Sequence, residues 1–190
     1  MLPDQVFALL SEATSQPKSS LRTPVLANSH GEEAQVRTIV LRSVNIEEKQ
    51  LIAYTDWRSP KVAQLLKGPQ ASWLFYDPVE KYQFRIETRV EILHRNEYTK
   101  TLWNEGVPLN NRVSYCSPSG PGNLISTDDH FLTEEQRVNP SVENTEEGLA
   151  NFAVIRATAT VMEVLQLRSD GEHDRFSSDL ERGTCVRLIP

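Results

Sequence analysis

Two long stretches of alternating residues limit what this chain can fold into. Tyr82 to Leu93 places Phe84, Ile86, Val90 and Ile92 on one alternation and Gln83, Arg85, Glu87, Arg89 and Glu91 on the other. That is the period of a strand with one buried and one wet face. Phe152 to Leu167 continues in the same style, with Ala157, Ala159, Val161 and Glu163 alternating against Thr158, Thr160, Met162 and Val164. Shorter β signals surround them. Thr23 to Asn28 runs into a turn at Ser29 to Glu32. Ala71 to Tyr76 is closed by Asp77-Pro78, and His173 to Leu180 with Thr184 to Leu188 makes a closing hairpin. Helical periodicity is confined to a few places: Pro3 to Ala13, where Val6, Leu9, Leu10 and Ala13 share a face, and Asn96 to Asn104, with Tyr98, Leu102 and Trp103 turned inward. About seven or eight strands against few helices imply a mainly β protein, an antiparallel β-barrel with peripheral helices.

The stretch from Arg37 to Lys61 carries the chemistry. Val36 to Val44 is a β-rich run bearing Arg37 and Arg42, Asn45 to Lys49 is a polar turn, and Leu51 to Thr55 returns as a second strand. Ser59 then suits an N-cap and Pro60 the first position of a helix. A helix N-terminus offers free N–H groups and the positive end of its dipole. Arg37, Arg42, Arg58 and Lys61 lie close by in sequence, so the stretch reads either as a phosphate site or as an edge hairpin with solvated charges.

Composition narrows the classes. The chain has 190 residues, and a single domain over 1–190 is expected. A net charge of −6 argues against nucleic-acid binding, which needs a basic face, though not against a local basic pocket. Cys116 and Cys185 have no C-x-x-C spacing, so neither a disulfide framework nor a metal site is expected. No apolar run approaches a membrane span, and residues 1 to 20 lack a secretory pattern. The expectation is a soluble cytoplasmic protein with no membrane partner. There is no Walker loop, no G-x-G-x-x-G and no G-x-S-x-G, which leaves doubly wound dinucleotide binding and a hydrolase triad without support. Thr127 to Gly148 is acidic and polar, and reads as surface covering or as an insertion near a ligand.

Four motifs in order carry a family resemblance. They are Arg37-Thr38-Ile39-Val40-Leu41-Arg42 followed by Tyr54-Thr55 and Ser59-Pro60-Lys61; Gln83-Phe84-Arg85-Ile86-Glu87; His173-Asp174-Arg175-Phe176; and the closing Arg187-Leu188-Ile189-Pro190. Together they resemble the pyridoxamine 5′-phosphate oxidase family, over roughly residues 20 to 190. The resemblance implies an FMN-binding split β-barrel that forms a homodimer, with FMN at the subunit interface. It maps Arg37 and Lys61 onto phosphate-binding cations, with Ser59 adding a hydroxyl. The backbone of Arg37 to Arg42, with Tyr54 and Thr55, would line the ribityl chain and ring. Gln83 and Arg175 map onto positions contacting the ring or cofactor, Gln83 from the partner subunit. No dedicated protein acid or base is implied, because the cofactor carries the hydride chemistry.

The chain departs from the family mostly on the substrate side. The family's serine-arginine-lysine is Ser59-Pro60-Lys61 here, with Arg58 as the neighbouring replacement for the missing arginine. Leu165 stands where the family has a flavin-contacting tryptophan, and Gly171 where true oxidases have a substrate arginine. The family's substrate-phosphate residues fall in Leu102 to Asn110, which holds no arginine or lysine. Arg42 replaces the substrate lysine, and Arg112 is the nearest arginine able to compensate. The expected function is an FMN-binding flavoprotein, an oxidoreductase of unassigned small-molecule substrate. Two alternatives are a true pyridoxamine 5′-phosphate oxidase with a rearranged pocket and a non-catalytic binding protein on the same barrel. A haem-binding version of the latter would have to use His94 or His173.

Overall fold

The computed structural model describes residues 1–124, 132–168 and 170–190. In chain order its elements are α1 (Pro3–Thr14), β1 (Val25–His30), β2 (Glu33–Thr38), β3 (Leu41–Asn45), β4 (Gln50–Asp56), α2 (Pro60–Lys67), β5 (Gln70–Asp77) and β6 (Tyr82–His94). They continue with α3 (Glu97–Gly106), α4 (Leu109–Arg112), α5 (Glu134–Val138), α6 (Val142–Thr145), β7 (Phe152–Gln166), β8 (Asp174–Asp179) and β9 (Thr184–Leu188). Short 3-10 turns at Ser20–Arg22, Val113–Tyr115 and Glu146–Asn151 complete the regular structure of the described residues.

The strands form one antiparallel sheet ordered β2-β1-β5-β6-β7-β4-β3, with β8 paired to β7 and β9 to β8. β2 and β3 occupy opposite ends of that order, yet only Ile39 and Val40 separate them in sequence. The sheet must therefore curl until its ends approach, which makes it a barrel. At the junction the Ile39 N–H donates to the Pro24 carbonyl at 3.0 Å, and the Ile39 side chain is buried. The run from Val36 to Val44, expected as one strand, is thus two strands serving opposite edges. Its β-forming residues suit either neighbour, so local pattern does not reveal the break.

β7 is the spine. β6 lines one edge along nearly its whole length. The other edge is shared: Phe152 to Thr158 pairs with β4, and Val161 to Gln166 pairs with β8. The Ala159 N–H donates to Lys49 and the Leu180 N–H to Thr160, so β4 and β8 diverge at Ala159 and Thr160, and the barrel splits there.

Inward residues of the strands fill the barrel. Leu41, Leu51, Trp73, Phe75, Phe84, Ile86 and Ile155 are buried, and α1 closes one end with Val6, Phe7 and Leu10. Burying each such side chain contributes roughly 1.5–3 kcal/mol. The buried Trp73 indole N–H donates to the Thr88 hydroxyl at 3.2 Å, which in turn donates to the Ala71 carbonyl at 2.9 Å, so these buried polar groups are satisfied.

A second cluster lies under α3, where Trp103, Tyr115 and Phe152 pack edge-on and tilted with Ile52, Leu93 and Val154. Asn96 caps α3 by accepting from the Thr99 N–H at 2.9 Å. Trp103 turns inward as expected. Tyr98 does not: it is exposed, with Arg156 over its ring at 6.0 Å. Of the segment from Thr127 to Gly148, residues 127 to 131 lie outside the described residues. The rest forms α5, α6 and a 3-10 turn whose Gly148 is buried against Trp103 and Tyr115, so this part covers the second core. No helix among the described residues is long and apolar enough to cross a membrane.

Candidate functional site

The end of β4, the head of α2 and the end of β2 meet on one side of the barrel. Ser59 sits at the N-cap of α2 with Pro60 at the first helical position. Its hydroxyl makes no side-chain cap to the helix. It accepts instead from Lys61 Nζ at 2.8 Å, and Thr55 Oγ1 accepts from the same ammonium at 3.2 Å. Arg37 reaches in from β2. Its Nη1 donates to Asn28 Oδ1 and its Nη2 to Gln64 Oε1, the latter at 3.2 Å. Burial pushes the Lys61 ammonium below its ordinary pKa, and the nearby Arg37 charge pushes it further, against a smaller upward pull from Asp56. Burial also lowers the Arg37 guanidinium. Two cations thus lie near one another, with two hydroxyls on Lys61.

Asp56, the carboxylate nearest in sequence, is engaged elsewhere. It takes Arg58 Nε at 3.0 Å and Nη2 at 2.8 Å, while Arg58 Nη1 donates to the Ser117 carbonyl at 2.7 Å. The bond and charge of Asp56 raise the Arg58 pKa. Arg58 is therefore a structural arginine that ties β4 to the loop at Ser117. It does not replace the missing phosphate arginine. Gly120 lies in the same loop, so tight on Arg58 that a Cβ there would stand 2.8 Å from Arg58 Cβ.

Of the remaining expected residues, Thr38 is exposed at the end of β2, and Ile39 and Leu41 are buried. Val40 is half-buried between the two strands. Ile39 and Leu41 therefore offer a ligand only their backbone, while Thr38 and the arginines also keep accessible side chains. Arg42 lies over the Tyr54 ring, its Cζ 5.4 Å from the centroid, with a buried Nε lacking a partner among the described residues. Burial raises the Tyr54 phenol and drives Tyr115 up to about 12, so both stay protonated near neutrality.

Gln83 and Arg175 are not brought to this group. They align across three strands, Gln83 opposite Leu165 and Leu165 opposite Arg175. Thr55 pairs with Ala153, twelve residues before Leu165 on the same strand. That is ~40 Å measured along β7. Glu163 holds Arg175 at 2.7 Å and also accepts from Arg85, which keeps its own carboxyl below the ordinary range despite opposing burial. Both groups of expected residues are present, at opposite ends of β7.

The chain matches the family model described as pyridoxamine 5′-phosphate oxidase, FMN-binding domain, over residues 5–94. A Pseudomonas syringae pv. syringae relative named pyridoxine/pyridoxamine 5′-phosphate oxidase is 26% identical over 203 residues, covering 99% of this chain and 90% of that one. A Caenorhabditis elegans chain named for pyridoxamine 5′-phosphate oxidase is 30% identical over 145 residues, covering 72% and 62%. The chain is similar to the pyridoxamine 5′-phosphate oxidase-related FMN-binding proteins. Its fold is that of the family's split barrel. It superposes with a TM-score of 0.75 on a pyridoxamine 5′-phosphate oxidase-related, FMN-binding protein of Nostoc punctiforme, 20% identical with 98% and 96% covered. PhzG of Burkholderia lata gives 0.74 at 19% identity, with 99% and 92% covered.

The cofactor of this family fits the residues present. FMN ends in a phosphate dianion, and the Arg37–Lys61 pair with the Ser59 and Thr55 hydroxyls is a set of donors with excess positive charge. The substrate side is different. Leu102 to Asn110 holds no basic residue. Arg112, the nearest replacement, is 4% exposed. Its Nε donates to Val107 at 3.1 Å and its Nη2 to Trp103 at 2.5 Å, and it stacks on the Trp103 ring at 4.9 Å. It closes the C-terminal end of α3, with its Nη1 buried and lacking a partner among the described residues. His94 stacks on Trp57 at 4.1 Å and contacts the Ala150 carbonyl at 2.9 Å, while His173 Nδ1 accepts from the Arg168 N–H, so both candidate haem ligands are engaged.

Sequence reasoning missed Asn28 and Gln64. Gln64 was within reach: an N-cap at Ser59 puts Lys61 and Gln64, three residues apart, on one helix face. Asn28 carried no signal, because its partner Arg37 lies across a strand pair.

Proposed function

We propose that this flavoprotein is a cytoplasmic, homodimeric FMN-dependent oxidoreductase, folded as one domain, whose substrate is not pyridoxamine 5′-phosphate. The observation that carries it is the convergence of Arg37, Lys61, Ser59 and Thr55 at the head of α2. In this reading Arg37 and Lys61 neutralise the FMN phosphate and the two hydroxyls orient it. The backbone from Thr38 to Arg42, with Tyr54, lines the rest of the molecule. Bound FMN supplies the redox centre, and the protein supplies binding, orientation and electrostatics.

The separation of the two halves supports the homodimer. Tyr76, Gln83, Leu165 and Arg175 form one lateral row on the outer face of the sheet. The next row is Leu74, Arg85, Glu163, Ser177 and Val186. Leu74, Tyr76 and Val186 are exposed there. Such a face, part apolar and part arginine, suits a second copy. Packed on it by a two-fold axis, that copy lets the partner's Gln83 and the partner's Arg175 meet an FMN held at Arg37 and Lys61.

A dianionic substrate needs cations apart from those on the cofactor phosphate, and each lost charge-assisted hydrogen bond costs about 1.5–3 kcal/mol. Arg58 and Arg112 are both committed to structure. The test is steady-state turnover of pyridoxamine 5′-phosphate by the FMN-saturated protein. The expected rate is below ~0.1 per second, under the usual enzyme range. A higher rate would return the protein to the true oxidases.

A further inference from the structure

Two arginines beside the head of α2 are held in opposite ways. Arg58 is matched to a carboxylate, Asp56, through two near-parallel bonds that cancel its charge. Among the described residues, Arg37 is matched only to amides. Asn28 Oδ1 accepts from one terminal nitrogen and Gln64 Oε1 from the other. Gln64 Oε1 also accepts from Asn28 Nδ2 at 3.3 Å, which closes a ring of three side chains from β1, β2 and α2. Asn28 is 7% exposed and its Nδ2 also donates to the Ser29 carbonyl, so the ring is anchored in the wall of the barrel. A guanidinium carries five N–H donors, and the two amides occupy only two of those on Arg37 among the described residues.

We propose that Asn28 and Gln64 are positioning residues for the cofactor phosphate, forming a neutral clamp that fixes the Arg37 guanidinium without neutralising it. The inference rests on the assignment of Arg37 to the FMN phosphate. A carboxylate at either position would hold Arg37 at least as firmly, as Asp56 holds Arg58, but would cancel the charge the phosphate needs. An amide fixes geometry and leaves the charge. Position 64 adds a second constraint. It lies one turn beyond Lys61 on α2, so a single helix carries one phosphate cation and the amide that aims the other. Flexible cations lose side-chain entropy on binding, and a clamp in place beforehand reduces that loss. The site is thus tuned for a phosphomonoester dianion over the same flavin without its phosphate.

The test compares FMN and riboflavin affinity by fluorescence titration of the full chain. Gln64→Glu is expected to weaken FMN about tenfold or more and leave riboflavin unchanged. Thermal stability without cofactor should hold or rise, because the new carboxylate pairs with Arg37. Asn28→Asp serves as a second variant, with the same expected pattern. Undiminished FMN affinity in both variants would overturn the clamp, as would an equal loss of FMN and riboflavin. Arg37→Ala separates the premise from the inference. If it fails to reduce the preference for FMN over riboflavin, the phosphate assignment is wrong. If it reduces the preference and the acidic variants do not, only the clamp is wrong.

Discussion

Lys61 occupies a position that disfavours its own charge. Burial lowers its pKa below the ordinary 10.5, and Arg37 lowers it further. The unfolded chain therefore binds more protons between the lowered value and 10.5. Without FMN, stability should rise as pH climbs through that window, and below the window the full penalty is present. Cofactor affinity should move the other way. It should fall as pH rises through the lowered Lys61 pKa, because the neutral amine no longer attracts the phosphate. Lys61→Arg should flatten that alkaline decline, since a guanidinium stays charged throughout. Titrating FMN from about neutral pH up to 10.5 would show it, and an unchanged decline in the arginine variant would assign it to another group. Arg112 makes a contrasting case. Arg112→Ala should lose about 3 kcal/mol of stability, from the carbonyls at the end of α3 and the stack on Trp103. FMN affinity of the folded fraction should stay unchanged. Chemical denaturation beside FMN titration checks both halves.

At the level of elements, the α2 head was legible because Ser59-Pro60-Lys61 is a local signal: cap, first-turn proline and cation lie within three residues. The two long strands were legible for the same reason, since alternation needs no distant partner. The break between β2 and β3 was not. Ile39 and Val40 are apolar and β-forming whether the chain continues one strand or changes edges, and only the sheet order decides. Tyr98 was misplaced by helix phase: Thr99 and Trp103, four apart, set the buried face of α3, and Tyr98 falls beside it. Gln64 and Asn28 were hidden because an amide has meaning only once its guanidinium is located. The turn at Glu146–Asn151 tests the packing of the second core. A Cβ on Gly148 would lie 2.9 Å from the Trp103 ring and 3.1 Å from Cys116 Sγ. Gly148→Ala should therefore cost about 1–3 kcal/mol, as overpacked cores do, with flavin binding retained. A thermal melt against the parent protein is the check, and an unchanged melting point would mean the turn can move aside.

At the scale of the whole molecule, the motifs name the expected cofactor residues but not where they fall. One chain puts Arg37, Thr55, Ser59 and Lys61 at one end of β7 and Gln83 with Arg175 at the other. Nothing in a linear motif reports that separation, because it arises from β4 and β8 sharing one edge of β7. On the proposed reading, two copies are needed to complete the cofactor site. Removing FMN should then weaken assembly, and weakening assembly should release FMN, since linkage between the two is reciprocal. The most direct measurement is sedimentation of the yellow protein, followed by its visible flavin absorption. The account predicts that flavin travels with a species of twice the 21.6 kDa chain mass. Flavin bound stoichiometrically to a 21.6 kDa monomer would contradict it.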